Sequence, residues 1–343
     1  MAVFICLYIF KFFKSVRLRN KVASIQVLIG YDKIGFMIKI TATVESVEQA
    51  KTLLDAGVDR LQMGDEQFGL RVPTPLSHEE IKAITKLAHE SGKEVVISVN
   101  AIMHTEMMTK IKDYLDFLQE IKADYIAVGD AGVIHVLQRD EYKLPFIYDA
   151  STMVASSRQI NFWGKQGAVE AVLAREIPKG ELEPMKDTLE IPAEILVYGA
   201  TVIHHSKRPL IQNYYNYIKT DEEGKDIDRS LFVSEPKKKD THYSIFEDAH
   251  GTHVYANDDL NMMTELADLV DMGFNHWKLD GIFTRGNEFV QVVKLYIQAK
   301  RWVESGEFTS DKAFQLEEEV RKIHPEGRTL SHGFYDLDPN DVK

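Results

Sequence analysis

Polar residues follow directly after several short apolar runs in this sequence. Asn100 follows ISV, Asp130 follows AVG, the pair Arg175 and Glu176 follows VLA, and Asp280 lies in a later run. Carboxylate and amide groups in such positions can transfer protons or orient a ligand. We therefore predict Asn100, Asp130, Arg175, Glu176 and Asp280 as catalytic residues. The alternative for each is a structural role, in which the side chain caps a helix or binds loop amides.

Other polar residues and two further arginines extend this set. The other polar residues at or near run ends are Asp65, Ser151, Thr152 and Lys278. Because a planar guanidinium matches the geometry of a carboxylate or phosphate, we predict Arg71, Arg175 and Arg208 as ligand-binding residues. A structural salt bridge is the alternative for Arg71 and Arg175.

Two histidine-rich segments raise the question of a metal site. They contain His204, His205, Glu247, Asp248, His250 and His253. No HExxH motif is present, and adjacent residues of a strand face opposite sides, so we predict loop histidines and no bound metal.

The sequence has no G-x-S-x-G motif, and its one cysteine, Cys6, lies outside the regular pattern. A serine nucleophile is therefore unsupported, and a cysteine nucleophile is excluded.

Charge and cysteine content narrow the class of protein. The formal net charge is −12, but residues 1–36 carry six Lys or Arg against one Asp, which leaves −17 for the rest of the chain. An acidic surface repels phosphate backbones, so strong unaided nucleic-acid binding is not expected. The run 237–239 with Lys207 and Arg208 is the best candidate for an RNA-facing patch, and a solvated loop is the alternative. A single cysteine cannot form an internal disulfide, which favours a cytoplasmic location.

Alternating strands and helices must position the polar residues named above. Short runs rich in β-branched residues alternate with segments of helical period, a pattern typical of βα units. The eight runs cover residues 38–44, 60–64, 94–100, 125–130, 146–151, 168–175, 194–199 and 276–282. We predict a TIM-like βα barrel of the α/β class, with an insertion between strands seven and eight. A doubly wound open sheet is the alternative, since periodicity does not report closure.

The chain divides into three predicted regions. Residues 37–306 form the barrel domain, with the insertion at 201–275, and residues 307–343 form a C-terminal helix and an acidic tail. Residues 1–36 are interpreted as upstream sequence from a misassigned start. Their apolar run is too short to span a membrane, which needs about 20 residues, and a weak membrane-surface anchor is the alternative.

Several segments between residues 37 and 306 resemble peptidase family U32, the collagenase-like proteases. The resemblance is carried by DAGVDRLQMGDEQFGLR, VVISVN, YIAVGDAG, DASTMV and VLAREI, and most specifically by EILVYGATVIHHSKRPLIQNY. The later segments EDAHGTHVYANDDL and KLDGIFTRGNEFVQVVKLY are also similar to the family. This resemblance implies the same barrel fold.

The sequence departs from cluster-bearing family members at their cysteines. Val202, Pro209 and Asn261 stand where the resemblance implies cysteines, and Asp280 and Ile282 replace a glutamate and an arginine. Because thiolates hold iron-sulfur clusters, this chain is expected to carry no cofactor. A cluster is expected only on a partner.

The resemblance implies a role in RNA hydroxylation as a dependent subunit. Short, cysteine-poor members resemble the smaller subunit of a pair that hydroxylates the tRNA wobble uridine at position 5. The expected partner is a longer, cysteine-containing paralogue in a heterodimer, with prephenate as a possible co-substrate and tRNA bound through the complex. An independent peptidase and a purely structural partner are the alternatives, and no membrane is expected.

Overall fold

A computed structural model describes residues 37–150, 154–220 and 224–341. The strands there are β1 (Lys39–Thr43), β2 (Arg60–Met63), β3 (Glu94–Val99), β4 (Tyr125–Val128), β5 (Phe146–Tyr148), β6 (Ala168–Val172), β7 (Ala193–Ser206), β8 (Phe232–Glu235), β9 (Lys238–Asp248), β10 (Gly251–Asn261), β11 (His276–Leu279) and β12 (Thr329–Ser331). The predicted residues Ser151 and Thr152 and the predictions for residues 1–36 lie outside these ranges.

Eight parallel strands, β1 to β7 and β11, close into a barrel. Each of β1 to β6 pairs with the next strand in the chain, and β11 pairs with both β1 and β7. Closure is visible in the register, where His276 lies opposite Lys39 on one side and Glu194 on the other. The predicted TIM-like barrel is therefore confirmed, and the open-sheet alternative is wrong.

Helices cover the outside of the barrel and bury apolar residues against it. They are α1 (Val47–Ala56), α2 (His78–Glu90), α3 (Thr105–Glu120), α4 (Ala131–Arg139), α5 (Ser157–Lys165), α6 (Lys179–Leu182), α7 (Leu210–Ile218), α8 (Leu266–Asp271), α9 (Gly286–Ser305) and α10 (Ser310–Ile323). None of these helices is both long and apolar enough to cross a bilayer.

Local signals at the helix ends explain where two of them begin. Ser77 and Glu80 form the reciprocal capping box that the sequence SHEE predicts at α2. At α1, Ser46 accepts a hydrogen bond from the Gln49 backbone, but the Gln49 side chain accepts from Glu45 instead of Ser46. The capping box predicted from SVEQ is therefore only half formed.

The insertion between the seventh and eighth barrel strands is an antiparallel sheet. β7 leaves the barrel and continues to Ser206, seven residues beyond the predicted end of the run. Its second half pairs with β10, and β9 and β8 follow in order. β12, which lies in the predicted tail, pairs with β10 in parallel. This long strand therefore continues the barrel sheet into the antiparallel strands of the insertion.

The interior of the barrel near the amino ends of the strands is charged, and we call this cluster the barrel floor: Arg60, Glu94, Glu170 and His276. The buried Arg60 donates from Nη1 to Glu170 at 2.7 Å and from Nε to Glu94 at 2.8 Å. Nδ1 of His276 lies 2.8 Å from the other Glu170 oxygen. Burial alone would raise the pKa of Glu170, but His276 and Arg60 bring it below its ordinary value. The floor is thus closed by paired charges.

Candidate functional site

A small chamber of about 30 Å³ lies at the carboxyl ends of the barrel strands. We call it the inner chamber. Its wall carries three cationic side chains, Arg71, Arg175 and Lys278, and two carboxylates, Asp149 and Asp280. A space of this size holds about one water molecule or a carboxylate group. The arrangement therefore suits the head group of a small organic anion.

Arg175 is held by the strand that follows it in the barrel. Its Nη1 donates to the carbonyl oxygen of Ala200 at 2.7 Å, and its Nη2 lies 3.7 Å from Oδ2 of Asp280. Glu176 accepts from the Arg175 backbone N–H at 3.1 Å. The guanidinium is thus fixed in position, with a carboxylate nearby but outside hydrogen-bond distance.

Arg71 adopts a strained backbone conformation in the loop that follows β2. Its φ of 55° is in the left-handed region, which residues other than glycine rarely adopt. Burial and the nearby Arg175 lower the pKa of Arg71, against the opposing influence of Tyr255 and the carboxylates of Asp149 and Asp280. Strained residues of this kind cluster at ligand sites, where the surrounding structure maintains them.

Asn100 connects this loop to the opposite wall of the chamber. Its side-chain oxygen accepts from the Leu70 backbone at 3.0 Å, and its Nδ2 donates to Asp149 at 2.9 Å. Asn100 therefore orients both the Arg71 loop and the Asp149 carboxylate. These two hydrogen bonds explain why an amide side chain stands at the end of β3. They also fit the alternative of a structural role, in which the side chain binds loop amides.

Asp280 fits against β7 only because residue 199 is a glycine. Gly199 has a φ of 130°, and a Cβ there would lie 2.6 Å from the carbonyl oxygen of Asp280. The Asp280 side chain accepts from the Ile282 backbone at 3.1 Å. Close approach of these two strands places the carboxylate at the chamber wall.

A larger cavity of about 510 Å³ adjoins the inner chamber, and the two share Arg71, Asn100 and Asp149. We call it the outer cavity. Its other side is formed by Asp130, Glu176 and the end of β7, including Val202, Ile203, His204 and His205. The volume lies in the range of pockets that hold small organic ligands.

The predicted residues divide between these two spaces. Asn100, Arg175, Asp280 and Arg71 line the inner chamber. Asp130 and Glu176 line the outer cavity instead, and Asp130 also caps α4 by accepting from Gly132 at 2.7 Å and Val133 at 3.2 Å.

Arg208 lies on the exposed turn after β7 and is part of neither cavity wall. Its backbone N–H donates to Ser206 Oγ at 3.2 Å. The predicted catalytic and ligand-binding roles stay predictions.

Sequence reasoning missed several polar residues of the inner chamber, among them Asp149 and Tyr255. Asp149 lies inside the predicted run 146–151, two residues before its end, and only the residues at the end of that run were considered. Tyr255 belongs to β10 of the insertion, and burial raises its pKa above the ordinary tyrosine value. No local signal in the sequence indicates that this strand reaches the barrel mouth.

The histidines of the insertion form a stacked pair. His253 is fully buried and binds Asp248 at 2.8 Å, and its ring lies parallel to that of His205 at 4.6 Å. Within the described ranges, no three His, Cys, Asp or Glu side chains are grouped so that they could share a metal ion. The prediction that this chain binds no metal stays a prediction.

The closed barrel defines a (βα)8-barrel protein, and its charged pocket lies at the carboxyl ends of the strands, where proteins of this fold usually place their sites. The chain belongs to peptidase family U32, whose sequence profile matches residues 45–343.

The chain is also similar to individual proteins. It is 31% identical to tRNA hydroxylation protein P2 of Bacillus subtilis over 300 residues, which cover 87% of this chain and 97% of that protein. It is 22% identical to tRNA hydroxylation protein P1 of the same organism, covering 75% of this chain and 62% of that one. For tRNA hydroxylation protein P of Escherichia coli the identity is 23%, with coverage of 66% and 59%.

The chain thus spans about three fifths of the two longer relatives and nearly all of P2. Among solved structures, the U32 peptidase Mk0906 is similar with a TM-score of 0.41 and 15% identity, covering 55% of this chain and 74% of that one.

Proposed function

We propose that this chain acts in the hydroxylation of tRNA at the 5 position of the wobble uridine, as the cluster-less subunit of a pair with a longer, cysteine-containing paralogue. One observation carries the proposal. The chain matches tRNA hydroxylation protein P2 along nearly the whole of that protein, while P1 of the same bacterium is longer. The proposed place of action is the cytoplasm.

The residues at the family's cysteine positions do not fit an iron-sulfur cluster. Val202 is a buried apolar residue, Pro209 has no ligating atom in its side chain, and Asn261 accepts a hydrogen bond from Tyr296 Oη at 2.6 Å. Cluster ligation requires thiolates, and the sequence has only Cys6. Redox chemistry is therefore assigned to the partner, and no step is assigned to a cluster here.

The inner chamber supports a role in binding a carboxylate co-substrate, for which prephenate is the proposed compound. Arg71, Arg175 and Lys278 surround a space of carboxylate size, and the outer cavity leaves room for the body of the acid. Fixed cations in a partly dehydrated pocket bind anions more strongly than cations in water do.

The proposed contact with tRNA is made through the complex. Residues 237–239 are exposed at the turn into β9, and Arg208 is exposed beyond β7. Lys207 Nζ donates to the carbonyl oxygen of Ala249 at 2.8 Å. These basic residues offset the acidic balance of the chain locally, which favours contact with phosphates.

The decisive experiment is mass spectrometry of tRNA nucleosides from cells with and without the gene. We expect 5-hydroxyuridine to fall in the deletion strain and to return with the wild-type gene. Unchanged 5-hydroxyuridine would overturn the proposal.

Co-expression of the tagged chain with the paralogue tests the proposed pair, since the two chains should copurify in a 1:1 complex. Cleavage of gelatin by the purified chain would favour the peptidase alternative.

A further inference from the structure

The wall of the outer cavity carries a histidine whose tautomer is determined by its contacts. His205 is near the end of β7, and its Nε2 lies 3.1 Å from the carbonyl oxygen of His250. A carbonyl oxygen only accepts, so the proton of a neutral His205 ring is on Nε2. Nδ1 is then left with a lone pair and is a hydrogen-bond acceptor.

The plane of the His205 ring is also held in position. The ring stacks on His253 with an interplanar angle of 4°, and His253 is fully buried and hydrogen-bonded to Asp248. Phe246 packs against the other ring, with centroids 5.0 Å apart. A ring held by a stack and a hydrogen bond presents its remaining nitrogen in one direction, as a recognition group must.

His205 is neutral near pH 7. Burial lowers its pKa, and the charges of His253 and Arg71 act in the same direction, whereas the His250 carbonyl and Asp248 oppose the shift. A histidine whose pKa is below the ordinary value is uncharged at neutral pH. Near pH 7, Nδ1 is therefore an acceptor.

We infer that His205 selects a uracil base in the outer cavity by accepting the hydrogen bond of its N3–H. This inference rests on the proposed function. Uracil presents one N–H between two carbonyl oxygens, so a neutral histidine acceptor matches its centre. Arg71, on the wall of the same cavity, is a donor for an adjacent carbonyl oxygen.

Cytosine is rejected by the same arrangement. Its N3 is an acceptor, which would face the lone pair of His205 Nδ1 and leave both atoms without a hydrogen bond. A partly buried polar group such as that of His205 disfavours the ligand that leaves it unpaired. Enzymes that modify bases read an extruded base at this Watson–Crick edge. The outer cavity has a volume of about 510 Å³, which lies in the range of pockets that hold a small organic ligand such as a pyrimidine.

Two anticodon stem-loop RNAs that differ only in the wobble base, uridine or cytidine, test the inference. Their dissociation constants are measured by fluorescence anisotropy with the full chain, alone and copurified with its paralogue. We expect the uridine probe to bind about tenfold more tightly, the value of one good hydrogen bond. In His205→Gln the amide can turn to donate or accept, so the two probes should bind within about twofold of each other.

A matched control substitutes a histidine outside the site. His135 is exposed on α4, and His135→Gln should keep the tenfold preference. Equal binding of both probes by the wild type overturns the inference, as does an unchanged preference in His205→Gln. His205→Asn serves as the second variant if His205→Gln unfolds. Loss of 5-hydroxyuridine on gene deletion without any base preference would overturn this inference alone and leave the proposed function standing.

Discussion

The barrel floor contains a buried arginine, Arg60, and the inner chamber contains a partly buried one, Arg71, but the two are in opposite electrostatic situations. Burial lowers the pKa of each. At Arg60, Glu170 and Glu94 overcome this effect and raise the pKa above the ordinary value. At Arg71, burial and Arg175 dominate, and the pKa is lowered. The floor therefore pairs its arginine with carboxylates that outweigh burial, whereas Arg71 lies near a second guanidinium as well as two carboxylates, and burial determines the direction of its pKa shift.

The largest expected effect on stability comes from removing the ion pairs of Arg60 in the barrel floor. Arg60→Met leaves the buried Glu170 with one fewer partner, and we expect the free energy of unfolding to fall by about 3–5 kcal/mol. Urea denaturation followed by circular dichroism measures the loss. Arg139→Met removes an exposed ion pair with Asp140 and should change stability by less than about 0.5 kcal/mol. Equal effects of the two substitutions would contradict the comparison.

The pH dependence of the stability lost in Glu170→Gln tests the same comparison. The pKa of Glu170 is lowered in the folded state, so its carboxylate contributes stability above the unfolded-state pKa, and this contribution is lost as pH falls through the folded value. We expect Glu170→Gln to cost about 2–3 kcal/mol at pH 7, and the cost to shrink only below the ordinary glutamate pKa. Denaturation curves between pH 3 and 8 in steps of about one unit measure it. A cost independent of pH would be inconsistent with a paired carboxylate.

The corresponding change in the inner chamber should affect binding more than folding. Arg71→Gln removes one of two neighbouring guanidinium groups and keeps a polar side chain, so the free energy of unfolding should fall by about 1 kcal/mol, less than in Arg60→Met. The affinity for prephenate, measured by isothermal titration calorimetry, should fall about 10- to 100-fold because a charge-assisted hydrogen bond is lost. Arg139→Gln is the matched control and should bind as the wild type does. A large loss of stability in Arg71→Gln would show that the chamber is a structural ion cluster like the floor.

The smallest expected effect comes from substitutions at Asp130. They separate its role as the cap of α4 from a role in the outer cavity. Because Asp130 accepts from two backbone N–H groups at the start of α4, Asp130→Ala should cost about 1 kcal/mol of stability. Asp130→Ser keeps a capping oxygen and should stay within about 0.5 kcal/mol of the wild type. If Asp130→Ser matches the wild type in stability but abolishes 5-hydroxyuridine formation in cells, Asp130 has a role beyond capping.

Local patterns predicted much of the fold and part of the site. The eight βα runs, the C-cap at Gly57 with its φ of 105° and the capping box at Ser77 all follow from periodicity and from hydrogen bonds between near neighbours in sequence. Run ends also indicated Asn100, Arg175 and Asp280, because carboxyl ends of parallel strands converge. The predicted end of the seventh strand was wrong by several residues, because pairing with β10 extends β7 to Ser206.

The sequence by itself determined the alternation of strands and helices, the lack of thiols for a cluster, and the polar residues at strand ends, because each depends on residue type and on short spacings. Only the tertiary structure decided that β11 closes the barrel, that Tyr255 from a distant strand lines its mouth, and that His205 stacks on His253. These contacts join residues far apart in the chain, and their geometry arises from packing of whole elements, which no local pattern encodes.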